Sequence, residues 1–173
     1  LPAPDIFFGN DKMEVTDTDI YKSDQAFTQG QMITVTGIDN LNEWWIDPDF
    51  FEKQSDGALK FLPINGDYRV TANAVLKYFS VMALKDGKPA KLQDDGTGAI
   101  WAIGKGIGKP SVTSSEVGWE PGKALCLAQV ASKKYQLTLK AGETLKTSGD
   151  PEVISFKFFH QNDWGGEFGN YAS

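Results

Sequence analysis

The sequence is poor in the residues that most often announce chemistry: it holds one cysteine and one histidine among 173 residues. A single cysteine, Cys126, cannot close an internal disulfide. Its place in the apolar run "ALCLAQVA" predicts a buried, inert thiol that gives no reading of compartment. A single histidine, His160, leaves no His cluster to hold a transition metal, and any Ser-His-acid triad would have to use it. No apolar stretch approaches the ~20 residues that a membrane-spanning helix needs. Basic residues are outnumbered, 17 against 23 acidic for a net charge of −6, which argues against a phosphate-binding surface and so against nucleic acid. The opening "LPAPDIFFGND" has neither an initiator Met nor a signal peptide, so removal of the true start is expected.

What is present suits a core built from strands. The chain is 40% apolar and 12% aromatic, and its length allows one large or two small domains. Gly- and Pro-centred turn signals recur at intervals of about 8–12 residues: "FFGND", "TQGQ", "SDGA", "INGD", "KDGKP", "DDGTG", "EPGK", "KAGE" and "TSGDP". Between them lie short β-branched and aromatic runs, "MITVTGI", "ALKFLPI", "YRVTA", "KYFSVMAL", "IWAIG", "ALCLAQVA", "YQLTLKA" and "VISFKFF". This pattern predicts an all-β fold of antiparallel, immunoglobulin-like sandwich modules rather than an α/β fold. One short helix is expected near 48–54, because Asp47 can cap exposed amides and Pro48 suits a first helical position. "LKFLPINGDYRVT" and "LCLAQVASKKYQLT" share an apolar strand, a polar turn and a Tyr-x-apolar-Thr strand, a faint duplication. With the polar stretch 85–98 as a linker, it divides the chain into modules at about 1–86 and 97–173.

Several short motifs invite a chemical reading and fail it. "GKGIGK", residues 104–109, lacks the spacing and the Lys-Ser/Thr of a phosphate loop, and no helix-forming run follows for a dinucleotide fingerprint. A flexible exit from a strand is expected there. "DTDIYKSD", residues 17–24, lacks the central Gly and terminal Glu of a calcium loop and reads as a solvated turn. His160 follows "FKFF" and is expected in the strand, on the face of Phe156 and Phe158, as a wall residue rather than a base. No pair of carboxylates stands in a signature context. No cofactor, metal or catalytic residue is implied.

The tryptophans carry more. If "NLNEWWIDP" is extended, Trp44 and Trp45 point to opposite faces, one into the core and one out. Trp101 in "IWAIG" has apolar neighbours on both sides and reads as core. Trp119 in "EVGWEPGK" and Trp164 in "QNDWGGEFG" lie in polar, Gly-rich loops, where packing demands an indole less. An exposed indole beside amides and carboxylates suits a sugar, whose flat apolar face stacks on the ring while its hydroxyls are hydrogen-bonded. The competing reading makes both rings lids on the ends of a sandwich core. Candidate ligand-binding residues are therefore Trp119 and Trp164, with Trp45 in the first module. Lys109, Asn162 and Glu167, close in sequence to the loop rings, are candidate polar partners.

The order of "IWAIG", "VGWEPGK", "KYQLTLK", "FKFF" and "DWGGEFG" resembles the β-sandwich modules of SusE/SusF-type surface glycan-binding lipoproteins of Bacteroidetes. The resemblance covers about residues 98–169, and residues 32–84, with "DPDFF" and "NGDYRV", look like a companion module. It implies non-catalytic binding of a polysaccharide or oligosaccharide at the outer-membrane cell surface, beside other glycan-uptake proteins. Membrane attachment would come only through a lipid anchor. Two departures stand out: the lipidated cysteine is not in this chain, and such modules usually continue past the Trp loop with a further strand. An excised or incomplete module is the expectation. The alternative is a structural spacer or protein-interaction module with no sugar site.

Overall fold

The computed structural model describes residues 2–147 and 154–167. The described chain is nearly all β, an all-β, sandwich-like fold of several antiparallel sheets, and it forms two compact units, Leu1–Gly87 and Lys88–Ser173.

Unit 1 holds β1 (Phe7–Phe8), β2 (Asp11–Lys12), β3 (Glu14–Asp17), β4 (Ile20–Phe27), β5 (Met32–Ile33), β6 (Val35–Thr36), β7 (Phe51–Lys53), β8 (Leu59–Phe61), β9 (Gly66–Asn73) and β10 (Tyr78–Lys85). The order β10-β9-β4-β3 makes its largest antiparallel sheet, flanked by the small sheets β2-β1-β6 and β5-β8-β7. Alternation explains β9: Tyr68, Val70 and Ala72 turn inward while Asp67, Arg69 and Thr71 turn away, the period-two pattern of a half-buried strand. The inward faces meet in an aromatic core. Phe8 packs edge-on against Phe27, Phe51 and Phe79 with ring centroids 6.0, 5.9 and 5.2 Å away. Such pairs contribute about 0.5–1.5 kcal/mol each beyond the area they bury.

On the outer face Arg69 lies directly across from Asp24 and grips it bidentately, Nε at 2.8 Å from Oδ1 and Nη2 at 3.0 Å from Oδ2. That hydrogen bond holds the Asp24 carboxyl below its ordinary range. A carboxyl whose folded pKa is depressed adds stability above its unfolded value and loses it as pH falls through the folded one. The contribution is therefore present at neutral pH and fades below about pH 4. Asp24→Asn is expected to lower stability at pH 7 by less than about 1 kcal/mol, since the pair is solvent-accessible. The gap to the parent should narrow from pH 7 to about pH 3, which denaturant titrations at the two pH values would read.

Unit 2 holds β11 (Lys88–Pro89), β12 (Trp101–Gly108), β13 (Glu116–Gly118), β14 (Leu125–Cys126), β15 (Ala128–Ala131), β16 (Lys134–Gln136) and β17 (Ser155–Phe159). β12 is its spine. Trp101 pairs with both Cys126 and Phe159, and Gly104 with both Gly118 and Phe156, so β13 and β14 share one edge and β17 takes the other. Ala102, Ile103, Ile107, Val117, Leu127 and Phe159 form the buried cluster. Trp101 is also buried, and its Nε1 donates to the Ala90 carbonyl at 3.0 Å.

Several expectations need correcting. No helix forms at 48–54. The Asp47 carbonyl accepts from Phe50 N at 3.2 Å and Phe51 N at 2.9 Å, but the turn ends there because Phe51–Lys53 pair with Leu59–Phe61. Among the described residues the one α-helical turn is Val112–Ser115, where the Ser111 hydroxyl accepts from Ser114 N at 3.1 Å. "GKGIGK" is not a flexible exit: Gly104, Gly106 and Gly108 lie inside β12. "DTDIYKSD" is a turn only at Thr18–Asp19, and from Ile20 it is a central strand. "MITVTGI" splits between two sheets as β5 and β6, and "YQLTLKA" leaves the ladder after Gln136. His160 lies past the end of β17, where Phe159 is buried and Phe158 is exposed. Trp44 and Cys126 are buried as expected.

Candidate functional site

Trp119 is delivered by the end of a ladder. β13 runs beside β12 until Gly118 faces Gly104, and the Glu116 side chain fixes this hairpin by accepting from Gly106 N at 2.9 Å. Gly118 then adopts φ +58, a left-handed conformation that glycine enters without strain. The chain turns out of the sheet and presents Trp119 before the 3-10 turn Pro121–Lys123.

Trp164 is held by a closed loop after β17. His160 N donates to the Gly166 carbonyl at 2.7 Å, and Phe159 bridges Glu167. Lys157 Nζ contacts Glu167 Oε1 at 2.9 Å across the base of the loop. Inside it, Trp164 N donates to Asp163 Oδ1 at 2.7 Å, and Gln161 Nε2 donates to the Trp164 carbonyl. Gly166 is at φ +64, and a Cβ there would meet the His160 Cβ at 2.9 Å, so the return of the chain needs glycine at this position.

These two loops bring their indoles together. The rings of Trp119 and Trp164 lie 6.4 Å apart between centroids at an interplanar angle of 28°. Both remain substantially open to solvent, at 38% and 49% exposure. Trp164 also meets the ring of Phe159 at 5.8 Å and 73°, and Phe159 belongs to the buried cluster of the unit. Trp164 is thus anchored on the core and carries an exposed partner ring. Two near-parallel apolar plates set among amides and carboxylates can hold a flat, amphipathic ligand face by stacking, with hydrogen bonds at the rim.

The other candidates separate. Asn162, half-buried, and Glu167, clasped to Lys157, belong to the Trp164 loop. Lys109 does not belong to this surface: it is 4% exposed. It follows Gly108, which faces Glu116, whereas Trp119 follows Gly118, which faces Gly104. They follow opposite ends of one ladder, whose end positions Gly104 and Gly108 are themselves on the order of 13 Å apart at about 3.3 Å per residue. Trp45 lies in unit 1, half-buried, with its ring 6.2 Å from that of Tyr78 and its backbone N–H donating to the Lys77 carbonyl at 2.8 Å. Burial pushes the pKa of the Tyr78 hydroxyl up, against the hydrogen bond to Ser80. Asp163, Gln161 and Phe159 were missed as members of the Trp164 site. The Gly165-Gly166 pair was their one sequence signal, since two successive glycines permit the left-handed return that closes the loop.

Residues 2–92 match the family model described as "Domain of unknown function (DUF5125)", which covers more than half of the chain, and residues 95–172 match "Domain of unknown function (DUF5121)". No curated protein and no solved structure matches the chain. The chain belongs to the DUF5125 family, with a DUF5121 domain in tandem behind it.

Proposed function

We propose, from the site in the second unit and the sequence resemblance, that the chain is a non-catalytic carbohydrate-binding protein of the SusE/SusF surface type. It would capture a polysaccharide or oligosaccharide at the outer-membrane cell surface, beside other glycan-uptake proteins, with a lipid anchor on the full-length precursor. The observation that carries this reading is the exposed Trp119–Trp164 pair, 6.4 Å between rings, on loops held by their own hydrogen bonds. Stacking supplies the attraction, and no bond in the ligand is broken. One or two rings give weak affinity at a single site, so repeated contacts along a polymer and multivalent display would carry retention.

A second reading has its own support. The edge contact of Trp164 with buried Phe159 suits a ring that lids the core of a spacer or protein-interaction module with no sugar site. Native gels cast with polysaccharides separate the two readings: retardation supports binding, and unchanged mobility across a broad panel favours the spacer.

Catalysis is expected to be absent. Incubation with the same polysaccharides should release no reducing ends. Reproducible product that disappears on changing one carboxylate would overturn this.

A further inference from the structure

We infer that the Trp119–Trp164 site takes uncharged glycans and rejects those bearing uronate or sulfate groups, an inference that rests on the carbohydrate reading above. Charge in the two loops is arranged one way. Residues 118–123 and 160–167 contribute three carboxylates, Glu120, Asp163 and Glu167, against the single lysine Lys123. Lys123 Nζ lies 3.7 Å from Glu120, and the neighbouring Lys157 lies 2.9 Å from Glu167. Each lysine of the site therefore already faces an acid.

Asp163 stands next to Trp164, exposed, with its Oδ1 taken by the Trp164 N–H. No ion pair links Asp163 to a cation among the described residues. An anionic sugar stacked on the rings would meet this carboxylate, while Lys123 and Lys157 already face acids of their own. Recognition of sulfate or carboxylate groups calls for the opposite arrangement, with unpaired Arg or Lys in bidentate or clustered positions. The net charge of −6 adds long-range repulsion of a polyanion. A neutral pyranose needs none of this: its C–H face meets the rings, and Asp163, Asn162 and Gln161 are of the type that hydrogen-bonds hydroxyls.

The test uses the full chain in native gels cast with neutral polymers (a glucan, a mannan, a xylan) or acidic ones (polygalacturonate, alginate, a sulfated galactan). Retardation is expected in at least one neutral gel, with acidic polymers binding at least about tenfold more weakly. Binding to the neutral polymer should be unchanged when salt is raised from about 0.01 M to about 1 M, which shortens the screening length from about 30 to about 3 Å. The double variant Glu120→Gln with Asp163→Asn keeps an oxygen acceptor at position 163 and removes two charges. It should narrow the ratio of neutral to acidic retardation, both measured on the variant itself. An acidic polymer that retards the parent as strongly as the best neutral one overturns the selectivity and leaves glycan binding standing. Discrimination that the double variant leaves undiminished overturns the assignment to these carboxylates. No retardation in any gel overturns the carbohydrate reading itself, and this inference with it.

Discussion

Gly104→Ala is expected to collapse the second unit. A Cβ at Gly104 would lie under 3.0 Å from the Phe156 Cα and from the Ser155 carbonyl oxygen, and both are backbone atoms of β17. No side-chain rotation relieves a backbone clash, so β17 must move away from β12. Gly104↔Phe156 is the fourth of the five pairs in a ladder running from Trp101↔Phe159 to Lys105↔Ser155. Displacing it would pull Phe159 from the buried cluster and loosen the base of the Trp164 loop. The φ of +150 adds strain, since side chains rarely adopt such a conformation. A loss on the order of 3 kcal/mol or more is expected, at the upper end of single substitutions, or a fall of more than about 10 °C in the thermal midpoint of a unit this size.

The matching control is Gly142→Ala. Gly142 has φ +83 but nothing within 4 Å of the added atom, so it should cost only about 1–2 kcal/mol of left-handed strain. Scanning calorimetry on the two variants isolates the steric part. Equal midpoints for both would mean that the close approach of β17 to β12 is not required.

Removing either loop tryptophan is expected to abolish detectable retention on a polysaccharide that the parent binds, with different costs in stability. Each ring contributes roughly 0.5–1.5 kcal/mol of stacking beyond the area it covers, about two- to tenfold in affinity. For a weak binder that is enough to erase retardation. Trp119 packs on Trp164, is 38% exposed and is not among the described hydrophobic residues packed against the buried cluster, so Trp119→Ala should leave the thermal midpoint within a few degrees. Trp164 also leans on Phe159, so Trp164→Ala should lower the midpoint further.

Circular dichroism adds a reading that does not depend on finding the ligand. Two indoles this close couple electronically, and the resulting couplet in the far ultraviolet should vanish in both single variants. Lost retention with an unchanged midpoint in Trp119→Ala identifies a platform. Retention that survives both substitutions would show that the wrong residues were chosen.

How much of this was legible in the sequence depended on whether a position answers to local or to distant neighbours. β8, β9, β10 and the start of β12 were readable because inward positions are apolar and Gly or Pro turns bound them. β4 was not. Its inward Ser23 is polar, and Gln25, part-buried on the same side, donates to the Phe8 carbonyl at 2.7 Å and to Ser23 Oγ at 2.8 Å. A buried polar group that finds its partner across the sheet costs little, but alternation cannot reveal it. The expected helix at Pro48 failed for a related reason. A capping Asp before a Pro opens a helix or a tight turn equally well, and only the pairing of Phe51 with Phe61 chose the turn.

The sequence by itself determined that the chain is all-β, because the short spacing of turn residues leaves no room for long helices and β-branched and aromatic runs favour a pleated surface. It also determined which rings were candidates for exposure, since indoles flanked by Gly and charge have little local apolar surface to bury against. The tertiary structure decided which of them meet. Trp119 and Trp164 come together because β13 and β17 lie on opposite edges of β12 and both open their loops near the same end of it. Lys109, nearer to Trp119 in sequence than Trp164 is, goes to the far end of that ladder and under cover. Register along an antiparallel strand converts sequence distance into direction as well as length, and that direction is set by pairing partners many residues away.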